Sequence, residues 1–462
     1  MKSADPRVRM FGTSVLEQLA DALLDISSET LPPEVEAKAC VCVADALASA
    51  LDGIDERQAV TARGLITLGT GSVIWGTIHR ARVQDAAFAN AIATHALIED
   101  DIYRQGSIHP AGTVIPAAIA TAEMVGSSGR DLLRAVVLGY EVIGRISSLL
   151  LGSASFMERA FRPTSLFAPF GAAAAAGILL GLEPRQLAGA FGLAGNLSGG
   201  LREWGAEGTF DPYVAVGSGV RNGVAAAEFA KADLGGTLRL LEAEHGFIHA
   251  YADDDVDPMQ LLKGIGDEYV LTDVTFKAAP SARFVQPAMQ LTARLKADKA
   301  LVAEAVHRIT VYTSQHNKSI PGADHRGPFK NAIQARLSYQ FTVAATLLYD
   351  RAGQAEYRSF DDPRVAALAK KIDVVMDPVI DAEFERTLAT GVRIRIQRTD
   401  GTEIEGHQGD LIPLTADQVF NKLSVAAAQC LRTDRAVSLC AHVQQLASLD
   451  AVTMLTDRLS VK

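Results

Sequence analysis

Between His95 and His109 the chain sets Glu99, Asp100 and Asp101 in a row, with Tyr103 and Arg104 directly behind them and Pro110 closing the segment. Imidazole is the side chain best matched to proton transfer near neutral pH, and a neighbouring carboxylate can orient it or move its pKa. The flanks, Ala87 to Leu97 and Val114 to Ala122, are Ala-rich, apolar and read as packed helix. Charge cut into core-like sequence must be solvated, paired or used, because unpaired buried charge is costly. Two readings follow from the residues. One is a proton-transfer site built on His109 and the aspartates. The other is a solvated helix end, with the carboxylates and Arg104 on a turn and His109 before a proline that restarts a helix.

Further polar residues could join such a site. Arg162-Pro-Thr164 precedes a long uncharged run, where Thr164 could cap a helix and Arg162 face a cavity. Lys277 lies in Phe-Lys-Ala-Ala-Pro, six residues before Arg283. Arg162 and Lys277 could equally be surface residues with snorkelling stems. His245 and His249 are spaced for one helical face, but Gly246 weakens that, and two histidines make a thin metal site. Gly217-Ser-Gly-Val-Arg-Asn-Gly223 misplaces the third glycine of a dinucleotide loop and lacks a surrounding βαβ unit, so small-residue helix packing is the better account. GxxxxGK[ST], HExxH and GxSxG patterns are absent. Cys40, Cys42, Cys430 and Cys440 have no zinc or disulfide spacing and read as reduced thiols of a cytoplasmic protein.

Elements must position these groups. With 462 residues, 48% of them hydrophobic, the chain exceeds one ordinary core. Residues 13–270 read mostly as helix, including Leu16 to Leu24, Val43 to Leu51, Asp131 to Leu151, Leu187 to Leu201 and Val220 to Ala230. Ser165 to Leu182 carries no charge over eighteen residues but holds Pro169 and three glycines. That is too weakly apolar for a membrane span, and it predicts a core helix starting near Pro169 or Phe170. Beyond residue 270 the pattern alternates. Ile309 to Thr313, Ile372 to Met376 and Gly391 to Arg398 read as strands, with a turn at Thr399-Asp-Gly-Thr. Ala332 to Tyr349 and Asp362 to Lys370 read as helices between them. The fold class is therefore mainly α with an α+β part. A large all-helical domain spans 1–270 and 406–462, and a smaller α+β domain is inserted at 271–405. The formal charge of −10 disfavours nucleic acid and anionic membrane as partners. An anionic small substrate would need its basic groups gathered locally.

The ordered series His95-Ala-Leu, Asp100-Asp101, His109-Pro110, Val114-Ile-Pro-Ala-Ala, Gly139-Tyr-Glu-Val and Phe170-Gly-Ala resembles the MmgE/PrpD family. The series continues through Leu180-Gly-Leu, Gly192-Leu-Ala-Gly, Arg221-Asn-Gly, Gly246-Phe and Phe276-Lys277, so the resemblance covers nearly the whole chain. It implies a homodimer with an interdomain active site and no cofactor or metal. The chemistry implied is dehydration, decarboxylation or epimerisation of a small polycarboxylate. Several positions depart from the family pattern. An acid is replaced by Ile98, a threonine by Ile102 and a histidine by Arg162. The position of the family's lysine falls near Asp211-Pro212, the histidine after it is replaced by Ala215, and Gln286 stands for another histidine.

What the resemblance leaves is a lyase of the 2-methylcitrate dehydratase type. His109 is its acid or base, Asp100 or Asp101 orients that ring, and Lys277, Arg104, Arg162 and Arg283 bind carboxylates. In an epimerase, Lys277 or Tyr339 would return the proton on the opposite face. A decarboxylase, or a homologue that binds without turnover, fits the substitutions as well.

Overall fold

The structure is a computed structural model that describes residues 13–460 except 154, 155, 157, 158, 253 and 254. It is 60% helical with a small mixed sheet. Helix Val15–Ser28 starts at Ser14, whose hydroxyl caps the Glu17 N–H while Glu17 reaches back, and it buries Leu16, Leu19, Leu23 and Ile26. Helix Pro33–Gly53 starts on a proline that has no N–H to leave unsatisfied and buries Val43, Ala46, Leu47 and Leu51.

At the centre of the larger core lies helix Pro163–Leu179, its residues 163–177 all buried. It begins six residues before the Pro169 start expected from sequence. Pro163 supplies the natural helix start, and Pro169 sits in the interior, as Pro116 does in helix Ala111–Val125. An interior proline costs a helix about 3 kcal/mol, and here burial on every side overrides that preference.

The Gly217–Gly223 segment lies inside helix Asp211–Lys231, as small-residue packing requires. A Cβ on Gly223 would stand 2.4 Å from the Pro169 carbonyl oxygen, and one on Gly219 2.7 Å from the Ala168 Cβ. His245 precedes the short helix Phe247–Tyr251, so His245 and His249 do not share a helical face. The cysteines are free, and burial pushes the Cys40 thiol up to about 11.

The smaller core is organised by a four-stranded sheet. Strands β3 (Val306–Thr313), β4 (Ile372–Met376), β5 (Val392–Arg398) and β6 (Glu403–Gln408) pair in the order β4-β3-β5-β6. Two shorter strands, β1 (Leu68–Val73) and β2 (Arg80–Ala81), form a separate hairpin. β4 runs parallel to β3, whereas β5 and β6 are antiparallel additions closed by the turn at Gly401 (φ 86°). Val392, Ile394 and Ile396 alternate inward as a half-buried strand should.

The helix expected over Ala332 to Tyr349 is two helices, Ala332–Leu337 and Tyr339–Tyr349. Ser338 between them is extended and caps the second through the Phe341 N–H, so a capping serine overrides continuous helical propensity. Val270, Leu271, Val274 and Phe276 pack in the larger core, and the smaller runs from Ala279 to Ile404. Helices Ala416–Cys430 and Thr433–Gln444 return to the larger core through Val419, Leu423, Ala426 and Leu439. No described helix is long and apolar enough to cross a membrane.

Gly223→Ala should cost ~1–3 kcal/mol by overpacking the helix interface. Thermal denaturation tests it: an unchanged melting temperature would mean that the two helices separate freely.

Candidate active site

His95 is the last residue of helix Val83–His95, and Pro110 caps helix Ala111–Val125. The fifteen-residue segment from His95 to His109 joins them. Its middle is anchored by a backbone bridge between Ile102 and Thr275 and by a tight turn that pairs Tyr103 with Ile108. Two non-glycine residues adopt the left-handed region, Ile98 (φ 54°) and Ser107 (φ 48°). For β-branched Ile98 this is a strained backbone that surrounding contacts must hold. Those contacts are visible: Lys277 donates to the Ile98 carbonyl, and Lys422 donates to the Glu99 carbonyl at 3.3 Å.

Asp100 is fully buried beneath two imidazoles. Its carboxylate lies 2.9 Å from His95 Nδ1 and 3.4 Å from His109 Nδ1. Burial alone would raise its pKa, but the facing His95 and His109 rings hold it well below the usual carboxylate range. Arg162 Nη2 stands 2.6 Å from His95 Nε2. Guanidinium only donates, so Nε2 accepts and the His95 proton is on Nδ1, facing Asp100. Burial, against the pull of Asp100, brings His95 down to about 4, so the ring is neutral at pH 7.

His109 Nδ1 is 2.9 Å from the Asp101 carbonyl and faces the Asp100 carboxylate, both acceptors. The proton therefore sits on Nδ1, and Nε2 keeps its lone pair. Burial first, then Lys277 and Arg162, lower the His109 pKa below 6.5, while Asp100 opposes them.

His109 lines a cavity of about 170 Å³ at the junction of the two cores. Arg162 and Arg283 share its wall, with Ile98, Phe284 and Leu337 among the apolar members. Further spaces of about 100 and 230 Å³ adjoin it across His316 and Ile320, and Arg104 lines the first of them. A larger groove of about 740 Å³ lies elsewhere, with Glu34, Asp267, Glu268 and Asp273 on its walls. It holds no imidazole, and its acidic lining opposes an anion.

Of the residues singled out from sequence, His109, Arg162, Arg283 and Arg104 thus line adjoining cavities, with Asp100 buried against His109. Three of the proposed roles need correction. Asp101 turns away from the cavity: its carboxylate accepts the Ala111 N–H at 2.8 Å and the Tyr140 hydroxyl at 2.8 Å, fixing the start of the next helix. Lys277 is near enough to lower the His109 pKa, yet it is fully buried behind the loop on the Ile98 carbonyl and does not line the cavity. Burial pushes Lys277 down to about 8. Tyr339 is buried behind Phe284, with its hydroxyl 3.0 Å from Thr313 Oγ1, and does not reach the cavity either.

Several groups escaped the sequence reading. His95 was visible in the motif but had no assigned partner. Lys422 enters from the last segment of the chain and pairs with Asp45 at 2.9 Å and Glu99 at 3.6 Å. Arg202 lines the cavity from a loop, and Trp204 and His316 from the short helices Trp204–Glu207 and Gln315–Ser319. A polar cluster beside Gly199-Gly200 and a histidine just past a strand end were the available signals. The donor atoms of His95, Asp100 and His109 lie within 4.8 Å of one another, close enough to share an ion. The nearby cations Arg162 and Lys277 oppose a divalent guest there.

Comparison with known proteins adds an independent line. Residues 17–259 match the MmgE/PrpD N-terminal domain and residues 279–444 the MmgE/PrpD C-terminal domain. The chain is 29% identical over 407 residues to the cis-aconitate decarboxylase of Homo sapiens, covering 83% of this chain and 81% of that one. It is 24% identical over 451 residues to a cis-aconitate decarboxylase-like protein of Aspergillus oryzae, covering 91% of this chain and 92% of that one. A 2-methylcitrate dehydratase of Escherichia coli is 30% identical over 148 residues, which is 30% of each chain.

The electrostatics fix a sign for titration. His109 should titrate below 6.5 as the Nδ1–H tautomer, and Asp100→Asn should lower its pKa further by removing the group that raises it. Nitrogen-15 NMR of the imidazoles reads both, and a rise on Asp100→Asn would contradict the pairing.

Proposed function

The chain belongs to the MmgE/PrpD family, and on that premise we propose that it is a lyase that dehydrates a small hydroxy-polycarboxylate by base-initiated proton removal. The observation that carries the reading is the state of His109. Its ring is neutral, with Nδ1–H held by the Asp101 carbonyl and facing buried Asp100, so the lone pair on Nε2 is the available base. Nε2 takes the proton from the carbon next to a substrate carboxylate, and the C–H electron pair moves onto that carboxylate. Arginines lining the cavity stabilise the charge that develops there. The pair then forms the carbon–carbon double bond as the adjacent C–O bond breaks. The departing hydroxyl takes the proton back from His109 Nε2 and leaves as water. Asp100 stabilises the transient imidazolium, and His95, locked by Arg162, keeps Asp100 in place.

Decarboxylation is the second reading, favoured by the length over which the decarboxylase relatives align. It asks the opposite of His109, because the carbanion left by carbon dioxide must be protonated by an imidazolium. The two readings therefore differ in the direction of their pH dependence. Dehydration should rise with pH through the lowered His109 pKa, whereas decarboxylation should fall.

The test supplies citrate, 2-methylcitrate, 2-methylmalate and cis-aconitate, following alkene absorbance and carbon dioxide release. His109→Gln should lose ~10²–10⁴ in rate with its circular dichroism unchanged. Carbon dioxide release that falls with rising pH would establish the second reading instead. Consumption of none of the four would point to a homologue that binds without turnover and would end the lyase reading.

A further inference from the structure

Arg202 occupies an unusual electrostatic position. It lines the cavity with His109, its Nε donates to the Phe161 carbonyl at 2.7 Å, and among the described residues no carboxylate pairs with it. Burial lowers its pKa, with no acid opposing that shift. Burial first, and the Arg202 charge in addition, lower the pKa of its neighbours Arg162 and His316, and His316 falls to about 4, where it is neutral at pH 7. Three guanidiniums, Arg162, Arg202 and Arg283, and the neutral His316 imidazole thus line one small space whose wall carries no carboxylate. Such an arrangement is relieved by a bound anion.

Trp204 gives a second, independent sign. It lines the same cavity, and its indole Nε1–H is buried without an acceptor in the protein. An indole N–H only donates, and a buried donor left unsatisfied is uncommon.

We propose that Arg202 and Trp204 form the carboxylate clamp of this site, and that the anion they select is an alkyl-branched dicarboxylate. Arg104 and Arg283 share one acid, Asp410, at 3.0 and 3.2 Å, so together they offer one uncompensated charge. Arg162 is coupled through His95 to Asp100, and its other terminal nitrogen is 2.7 Å from Ser165 Oγ. Arg202 supplies the second free charge. Two carboxylates are matched, and a third would be left without a cation. Ile98, Phe284, Ile320 and Leu337 give the remaining wall an apolar surface suited to an alkyl branch. The substrate class rests on the lyase reading; the clamp itself does not.

Isothermal titration calorimetry with 2-methylmalate and citrate tests this, with the heat of any turnover measured separately and subtracted. Wild type should bind 2-methylmalate more tightly than citrate. Arg202→Gln should weaken that binding ~10–10²-fold, the loss expected for charge-assisted hydrogen bonds, with Arg202→Lys recovering part of it. Trp204→Phe, which keeps an aromatic ring but removes the donor and part of the indole, should weaken binding ~2–10-fold. Melting temperatures show that each variant folds. Wild-type affinity in Arg202→Gln, citrate binding at least as tight, or no binding of 2-methylmalate by wild type overturns the proposal. If Arg202→Gln loses affinity but wild type consumes no substrate, the clamp stands and the lyase reading falls. Unchanged affinity beside normal turnover does the reverse.

Discussion

A single buried negative charge organises the centre of this protein. Asp100 has no exposure to solvent and remains ionised because two imidazoles face it. An isolated carboxylate at that depth would carry a penalty of several kcal/mol. The compensation extends outward in sequence of contact: His95 and His109 meet Asp100, and Arg162 meets the far side of His95. Each link fixes the tautomer of the next. The state of His109, a neutral ring with its lone pair on Nε2, is therefore a consequence of where Asp100 is held.

Holding Asp100 there requires a backbone that a free chain would avoid. Ile98 and Ser107 adopt positive φ on either side of it, and residues so strained persist only when their surroundings over-determine them. Two side chains from distant parts of the sequence and one from the end of the loop itself provide that restraint. Lys277 holds the Ile98 carbonyl, Lys422 the Glu99 carbonyl and His109 the Asp101 carbonyl. Lys422 belongs to the final helical segment, and burial on its own would discharge it. Asp45 and Glu99 outweigh that and keep it charged. The return of the chain to the larger core thus serves the loop as well as the core.

Much of the architecture was legible in the sequence because it depends on periodicity. The alternation of Val392, Ile394 and Ile396 marked a strand, and the Gly217–Gly223 segment marked a close helix contact. Where local signals failed, packing or capping overrode them. Pro169 looked like a helix start but lies inside a helix buried on all sides, and Ser338 divides a run of good helix formers by capping the second half. In the site, residue type identified His109, Asp100 and the arginines as charges needing partners. Type could not say which of two adjacent aspartates faces the imidazoles, because successive side chains on an irregular loop point in directions that only the folded backbone fixes.

The sequence by itself determined the family, the mainly helical fold class with its α+β part, and the presence of a charged segment between two apolar helices. Those follow from composition, spacing and the order of motifs, which are properties of the chain read locally. Tertiary structure alone decided that Asp101 caps a helix while Asp100 sits under the histidines. It also decided that Lys277 braces the loop from behind, that Tyr339 is shut behind Phe284, and that Arg202 and Trp204 line the cavity. The physical reason is range. Propensity and periodicity act over a few residues, whereas desolvation and ion pairing depend on which distant segments exclude water together.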